Sequence, residues 1–467
     1  MALFKYLTTA IVIATFANVA SAQWHSHDSR MYFDYGEPVM TSVIQSPDGR
    51  ATDVRITTAN SMFSFLRSKD TAKGAYYALR NVTIEAREQD NEQPLVTRNT
   101  VDTIYAKTFD ESVSKSAWHA MSKRLLLPAF DSGKKYSLHI EIRDNIDRLV
   151  SRPLVVDLHT PQFTNSATSD GIAIGDITLA DSLNGDVAFT SGRGNTYMFS
   201  RNIIGSVAFR LAGALGSEPI VDVSVRQISN LIDPADTGAR FHGQLDAGDL
   251  HRASVFEFAS ADSIFHYKLV PSADSGTWTA IFNVPGLSFQ QGKYEFSVRV
   301  RVGGVEKTQK NEFQLVWQGM PLSLEDPTDA IDPLAIIAQP EQINAINSGS
   351  TQEKRLKLYA YWKSQDPTPA TAYNERMATF YQRVDYAAFN FTTGRTLNGA
   401  MTDRGKVYLL YGPPTKIERS FIPGDPPTEI WTYTNNVHRI FRFEEHGSAG
   451  EYQLANIQDT AASGTNN

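Results

Sequence analysis

Tyr136-Ser137-Leu138-His139-Ile140-Glu141-Ile142 and Tyr294-Glu295-Phe296-Ser297-Val298-Arg299-Val300-Arg301-Val302 decide the fold class. In both runs the apolar side chains recur at every second residue, the period that sends neighbours to opposite faces of a strand. One face is then buried and the other wet, as in an antiparallel sheet packed on one side. Each run is fed by a turn, Asp131-Ser132-Gly133 or Gln290-Gln291-Gly292. Ahead of Tyr136 stand Trp118, Pro128, Phe130 and Gly133, and ahead of Tyr294 stand Trp278, Pro285, Phe289 and Gly292, in the same order. The chain carries one β-rich plan twice.

Working outward, each run is followed by a hydrophilic turn and a further strand, Leu154 to Leu158 in one copy and Phe313 to Val316 in the other. Met31 to Tyr35, Tyr76 to Glu85 and Thr103 to Phe109 read as strands of the first copy. Gly175 to Leu179, Thr196 to Phe199, Ile220 to Val225 and Phe256 to Phe258 read as strands of the second. Residues 28–160 and 163–320 are therefore expected to be two all-β sandwich domains of the immunoglobulin or fibronectin kind. Trp118 and Trp278 are expected to anchor their cores.

Alternation stops after Trp317, where Pro321, Pro327 and Pro333 mark a boundary. Asp332-Pro333 reads as a helix start. Ser350-Thr351-Gln352-Glu353 is a capping box, in which hydroxyl and carboxylate each satisfy a backbone N–H. Asp366-Pro367-Thr368-Pro369 must end the helix that follows, and Thr368 can cap another whose first residue is Pro369. In that helix Tyr373, Met377, Phe380, Tyr381, Val384, Ala388 and Phe391 form one apolar stripe. Val407 to Tyr411, Glu429 to Tyr433, Arg439 to Glu444 and Glu451 to Leu454 read as strands that cover it, with a turn at Gly412-Pro413-Pro414. A helical connector and small α+β domain are thus expected over 325–456, with a disordered tail at 457–467.

This third region resembles the GWxTD domain family of exported bacterial proteins. The resemblance rests on Trp362, Asp366-Pro367-Thr368-Pro369, Asn374-Glu375, Arg383-Val384, Tyr386-Ala387, Gly399, Thr402-Asp403-Arg404-Gly405, Tyr411-Gly412-Pro413-Pro414, Ile430-Trp431-Thr432-Tyr433 and Phe441-Arg442-Phe443. It departs in one place: Ala400 stands where the family pattern has Trp. The resemblance implies export from a bacterium and assigns no reaction or ligand. The run around Gly412-Pro413-Pro414 and Trp431 is also similar to small lipoproteins that accompany outer-membrane protein assembly. Those place a helix before the Gly-Pro turn, whereas Val407 to Tyr411 reads as extended.

Location follows from the first 22 residues, which read as a signal peptide: Lys5, a mostly apolar Tyr6 to Val19, and small residues Ala20-Ser21-Ala22 before the cleavage site. The expected destination is periplasmic or extracellular. Losing Lys5 takes the formal charge from −7 to −8, since residues 1–22 hold no acid. That acidic balance argues against nucleic acid as a partner. No later segment is long and apolar enough for a transmembrane span. The absence of cysteine excludes disulfides, thiolate chemistry and a lipid-anchored thiol.

Candidate chemistry is sparse. Asp366, Glu375 and Asp403 could supply a carboxylate pair for acid/base work, with Arg376 and Arg404 holding an anionic substrate. The structural alternative is that Asp366 makes turn bonds, Glu375 sits favourably in a first helical turn and Asp403-Arg404 caps or pairs. Trp362, Asp366, Arg404 and Trp431 are candidate binding residues, or else Trp362 and Trp431 belong to a core. Gly192-Arg193-Gly194 reads as a turn rather than a phosphate cradle. Gln23-Trp24-His25, with His27 and Asp28, could surround Cu(II) or Ni(II), but reads better as a structureless leader. Neither a metal nor a cofactor is expected. The favoured expectation is a non-catalytic binding or scaffolding component, partnered by an unidentified envelope protein or polymer. The alternative is an envelope-polymer hydrolase using carboxylates of the C-terminal domain.

Overall fold

A computed structural model describes residues 39–45, 51–89, 91–114, 117–128, 134–144, 148–150, 153–158, 171–190, 196–211, 218–236, 238, 240–261, 265–317, 320–393, 398–435, 437–447 and 450–459. The expected strand at Met31 to Tyr35, the signal peptide and the Gly192 turn lie outside them. The chain divides into two compact units, Met1–Gly319 and Met320–Asn467.

The first unit is built from mostly antiparallel sheets. Its first half holds β1 (Val39–Gln45), β2 (Ala51–Ala59), β3 (Leu66–Arg67), β4 (Tyr76–Glu88), β5 (Pro94–Ala106), β6 (Trp118–Leu126), β7 (Tyr136–Arg143) and β8 (Leu154–Leu158). They form a sheet ordered β1-β2-β6 and another ordered β3-β4-β7-β8, with β5 on β4. Val54, Ile56, Met121 and Leu125 of the first sheet share one core with Val82, Ile84, Leu138, Ile140 and Ile142 of the second. Alternation along β7 places Leu138, Ile140 and Ile142 in that core, as its period predicts. The expected strand Thr103 to Phe109 is instead the end of β5, because Thr108 caps a single helical turn beginning at Phe109.

The second half repeats the order. It holds β9 (Ile172–Ala180), β10 (Ser182–Asn184), β11 (Val187–Thr190), β12 (Thr196–Met198), β13 (Ile203–Leu211), β14 (Ile220–Asn230) and β15 (Arg240–Gln244). It continues with β16 (Leu250–Arg252), β17 (Ser254–Ala261), β18 (Phe265–Pro271), β19 (Thr277–Val284), β20 (Gly292–Val302) and β21 (Val305–Val316). Strands β9-β13-β19 correspond to β1-β2-β6, and β15-β14-β20-β21 to β5-β4-β7-β8. Trp118 is buried, but Trp278 is only partly so; it stacks on Phe209, centroids 6.4 Å apart, with the Arg252 guanidinium over its ring. The core beneath is filled by Phe282, for which Gly205 leaves room: a Cβ there would lie 1.8 Å from the Phe282 ring.

One sheet belongs to the second half alone, β10-β11-β18-β17. It covers the outer face of β2 and β6. Arg55 donates to the Tyr267 hydroxyl, with its guanidinium 4.2 Å from that ring, and Arg124 bridges Asp53 (3.2 Å) and Glu257 (3.0 Å). Residues of β2 are therefore buried on both faces.

The second unit packs helices on one face of a four-stranded sheet. The helices are α1 (Pro327–Ile331), α2 (Pro340–Ile346), α3 (Thr351–Lys363), α4 (Glu375–Phe391) and α5 (Asp403–Tyr411). The strands, in spatial order, are β22 (Lys416–Ser420), β23 (Thr428–Tyr433), β24 (Arg439–Glu445) and β25 (Tyr452–Asp459). The Ser350 box caps α3 as expected.

Four expectations are corrected here. Val407 to Tyr411 is helical, because Thr402 caps α5 by accepting the Gly405 N–H (3.0 Å) and Gly412 at φ 76° ends it. A first helix starts at Pro327 under an Asp326 cap, so Asp332-Pro333 only opens a 3-10 turn. Helix α4 begins at Glu375 rather than Pro369: Asn374 caps it through Met377 N–H (2.8 Å), leaving Tyr373 ahead of the helix. Finally, Ile457, Gln458 and Asp459 are not tail; they pair with Phe441, Ile440 and Arg439.

Candidate functional site

The candidate catalytic and binding residues Trp362, Asp366, Glu375, Arg376, Asp403, Arg404 and Trp431 all lie in the second unit, and the structure sorts them into three places. Trp362, at the end of α3, and Trp431, in the middle of β23, are each 1% exposed. They are core, and present no face to a partner. The Trp362 indole donates to the Tyr381 hydroxyl (3.2 Å), which donates onward to the Ala330 carbonyl (2.8 Å). Burial pushes that hydroxyl far above the ordinary tyrosine range, so it stays a neutral donor. Asn374 completes the junction by donating to the Trp362 carbonyl (2.7 Å). One buried chain of hydrogen bonds thus ties α1, α3 and α4 together.

Asp366 and Glu375 meet around Thr368. Asp366 Oδ1 accepts the Thr368 N–H (2.8 Å), and the Thr368 hydroxyl donates to Glu375 Oε2. The side chain expected to cap a helix at Pro369 instead clips the preceding turn to the first residue of α4. These two carboxylates converge on a solvent-facing turn, with Glu375 exposed. Arg376 is likewise exposed.

Asp403 and Arg404 occupy the third place, at the start of α5. Asp403 Oδ2 accepts the Leu454 N–H (3.0 Å), which fastens the helix to β25. Arg404 lies between the Tyr452 and Phe391 rings, 4.3 and 5.1 Å from their centroids. It donates to the Gly450 carbonyl (2.9 Å) and faces Glu429 at 3.5 Å. Burial lowers the guanidinium's pKa, with Glu429 pulling the other way. Around these residues is a cleft of about 400 Å³, lined by Thr393, Thr402, Asp403, Arg404, Glu451 and Tyr452 among others. Neither Asp366 nor Glu375 reaches it. The three proposed catalytic carboxylates therefore do not form one constellation.

The residue that sequence reading passed over is Glu429. Its side chain is 3% exposed and bonded on every side: Trp431 Nε1 donates to Oε1 (2.6 Å), while Arg404 and Arg419 face Oε2 at 3.5 and 3.3 Å. The available signal was parity, since Glu429, Trp431 and Tyr433 alternate on the helix-facing side of β23. The naming motif has an equally local explanation. A Cβ on Gly399 would meet the Ala387 carbonyl oxygen at 2.3 Å, and one on Gly405 would meet that of Gly399 at 2.2 Å, so both positions require glycine for close approach. Ala400, fully buried, takes the position of the family Trp.

Among the described residues, no group of three or more His, Asp or Glu is placed to hold a metal ion. No helix among them is long and apolar enough to cross a membrane. His25 and His27 lie outside the described residues.

Comparison with known proteins agrees with the motif reading. No curated protein matches the chain. Two of the solved structures that match show how faint such likeness can be. One is AvmM, which catalyses macrocyclization in alchivemycin A biosynthesis: 11% identity over 32% of this chain and 90% of that one, TM-score 0.17. The other is a family 123 glycoside hydrolase from Clostridium perfringens that acts on glycolipid glycans: 12% identity over 33% of this chain and 31% of that one, TM-score 0.14. At such TM-scores neither bears on fold or chemistry. Residues 304–462, by contrast, match the family model of the GWxTD domain, so this part of the chain is a GWxTD domain.

Proposed function

We propose that the protein is an exported, non-catalytic binding or scaffolding component of a bacterial cell envelope, acting in the periplasm or at the cell exterior. The observation that carries this reading is the use made of the candidate catalytic residues. Asp366 and Glu375 are spent on one turn, Asp403 fastens α5 to β25, and Glu429 neutralises Arg404 and Arg419. Each carboxylate has a folding task, and glycoside hydrolysis needs two of them facing each other across a substrate at roughly 5 to 9.5 Å.

The two halves of the first unit, on this reading, are immunoglobulin-like or fibronectin-like sandwiches that space and present surfaces. The Tyr294 hydroxyl on the Gln290 carbonyl (2.7 Å), beside the start of β20, supports that assignment because such a corner is a habit of these folds. The helical state of α5 favours a related reading of the second unit. A helix now precedes Gly412-Pro413-Pro414, so the difference from the small lipoproteins that accompany outer-membrane protein assembly falls away. Fold likeness of this sort indicates a class of role rather than a partner.

The test is capture from the native envelope, using the full chain and a chain lacking residues 320–467, together with mass spectrometry of the native N-terminus. A start at Gln23 and an envelope partner lost with the second unit are expected. Intact Met1 in the cytoplasm would refute export. Turnover of an envelope polymer abolished by Asp403→Asn would refute the non-catalytic reading in favour of a hydrolase.

A further inference from the structure

Strand β5 is the longest exposed edge of its sheet: 13 residues, paired with β4 and, among the described residues, with no other strand. Every second N–H and C=O of such an edge points outward, and proteins ordinarily protect it by shortness, charge or bulges. The second half does so, since β15, in the corresponding place on β14, has five residues. Strand β5 has a bulge only at its start, where Leu95 is skipped in the register, and Val96 to Ala106 runs unbroken along β4. The strand is rich in Thr, Val and Ile, its proline stands at the first position, and Leu95 and Val101 are 42% and 63% exposed.

The side chains along this edge are self-complementary. We propose that β5 pairs antiparallel with β5 of a second copy of this chain, about a two-fold axis through Thr100. In that register Arg98 stands opposite Asp102 of the partner subunit, and by symmetry the same pair forms again on the other side of the axis. Thr97 meets Thr103 of the partner subunit, and Val96 meets Ile104 of the partner subunit. The faces agree as well. Asp102 pairs with Arg80 and Arg98 with Ile84 in the β4 register, so both charges lie on the core-facing side of the sheet and remain there after pairing.

Both ions are free to do this. Arg98 is exposed and has no ion pair among the described residues. Asp102 is held from within by Arg80 (3.0 and 2.6 Å), yet its side chain is 36% exposed. A carboxylate offers about four acceptor sites, enough for a second guanidinium. Because the paired residue numbers sum to an even value, outward-bonding residues meet outward-bonding residues whichever parity β5 has. The product is one continuous sheet across the axis, an isologous and closed arrangement.

The chain has no cysteine, which makes the test clean. Directly opposed residues of an antiparallel pair lie about 4.5–5.5 Å apart, within disulfide reach. Thr100→Cys should therefore cross-link into a covalent dimer under mild oxidation. Leu95→Cys should not, since the two copies of residue 95 would be about 34 Å apart. Sedimentation of the unmodified full chain should show a concentration-dependent doubling of mass. Arg98→Asp, an exposed change, should keep its thermal unfolding profile but weaken association at least about tenfold, as like charges then face each other twice. A monomer at every concentration, cross-linking of Thr100→Cys no faster than of Leu95→Cys, or an Arg98→Asp chain that associates as tightly as before would each overturn the proposal.

Discussion

Truncating Trp431 to alanine tests whether the motif residues of the second unit are its framework. Trp431 is 1% exposed, and its ring contacts Phe391, Tyr408 and Phe443, with centroids 5.5, 6.3 and 5.0 Å away. Removing a buried aromatic costs about 3–5 kcal/mol through lost transfer energy and the cavity left behind. The indole N–H also donates to the buried Glu429 carboxylate at 2.6 Å, and a hydrogen bond to a charged group adds about 1.5–3 kcal/mol. The two contributions overlap, because Arg404 and Arg419 still face the carboxylate, so a total of about 5 kcal/mol is expected. At about 2–4 °C per kcal/mol for a unit of this size, its melting temperature should fall by about 10–20 °C. Peptide-resolved hydrogen exchange across a thermal series separates the units. Peptides from 320–459 should lose protection at lower temperature while those from β2, β7 and β20 keep theirs. Trp431→Phe should recover most of the loss. A drop below about 3 °C, or equal loss of protection in both units, would refute the framework reasoning.

Three further outcomes follow from the same geometry. Asp403→Asn should cost no more than about 1.5 kcal/mol, because the amide oxygen can still accept the Leu454 N–H and the side chain is 38% exposed; urea denaturation measures it. Gly405→Ala should cost more than that, since its Cβ would meet backbone at 2.2 Å, and overpacking of this kind costs about 1–3 kcal/mol or more. In the first unit, burial raises the Asp53 pKa against the opposing pull of Arg124 and Arg55. The folded state then holds that proton more tightly than the unfolded chain. Stability from this group is present below the ordinary value of 3.8 and is lost as pH rises through the folded pKa. Asp53→Asn should therefore compare more favourably with the unmodified protein at neutral pH than at pH 3, in denaturation midpoints taken at both.

Much of the architecture was legible in the sequence, and the legible parts share a cause. Alternation along Leu138, Ile140 and Ile142, the Ser350 box and the Met377 to Phe391 stripe are repeated local signals, each specifying one geometry through bonds or periodicity within a few residues. The tail shows the opposite: Ile457 to Asp459 has no strand signal of its own and is ordered by pairing with β24. Val407 to Tyr411 is a five-residue apolar run that suits strand or helix equally by composition. Its state was settled by the Thr402 cap, the Gly412 terminus and packing on α4, which a reading of the run itself does not contain.

The same division holds for the candidate site. Sequence alone offered Asp366, Glu375, Asp403 and Arg404 as candidates for chemistry, left Trp362 and Trp431 as binding residues or core, and excluded thiol chemistry. Only the tertiary structure decided that Asp366 and Glu375 share Thr368 while Asp403 bonds Leu454, that Glu429 is buried between Arg404 and Arg419, and that β2 is covered on both faces. The physical reason is distance along the chain. Period, caps and turns are set by neighbours a few residues apart, whereas the partner of a buried charge comes from wherever packing brings it. Glu429 and Arg404 are 25 residues apart, and Arg55 and Tyr267 are 212 apart.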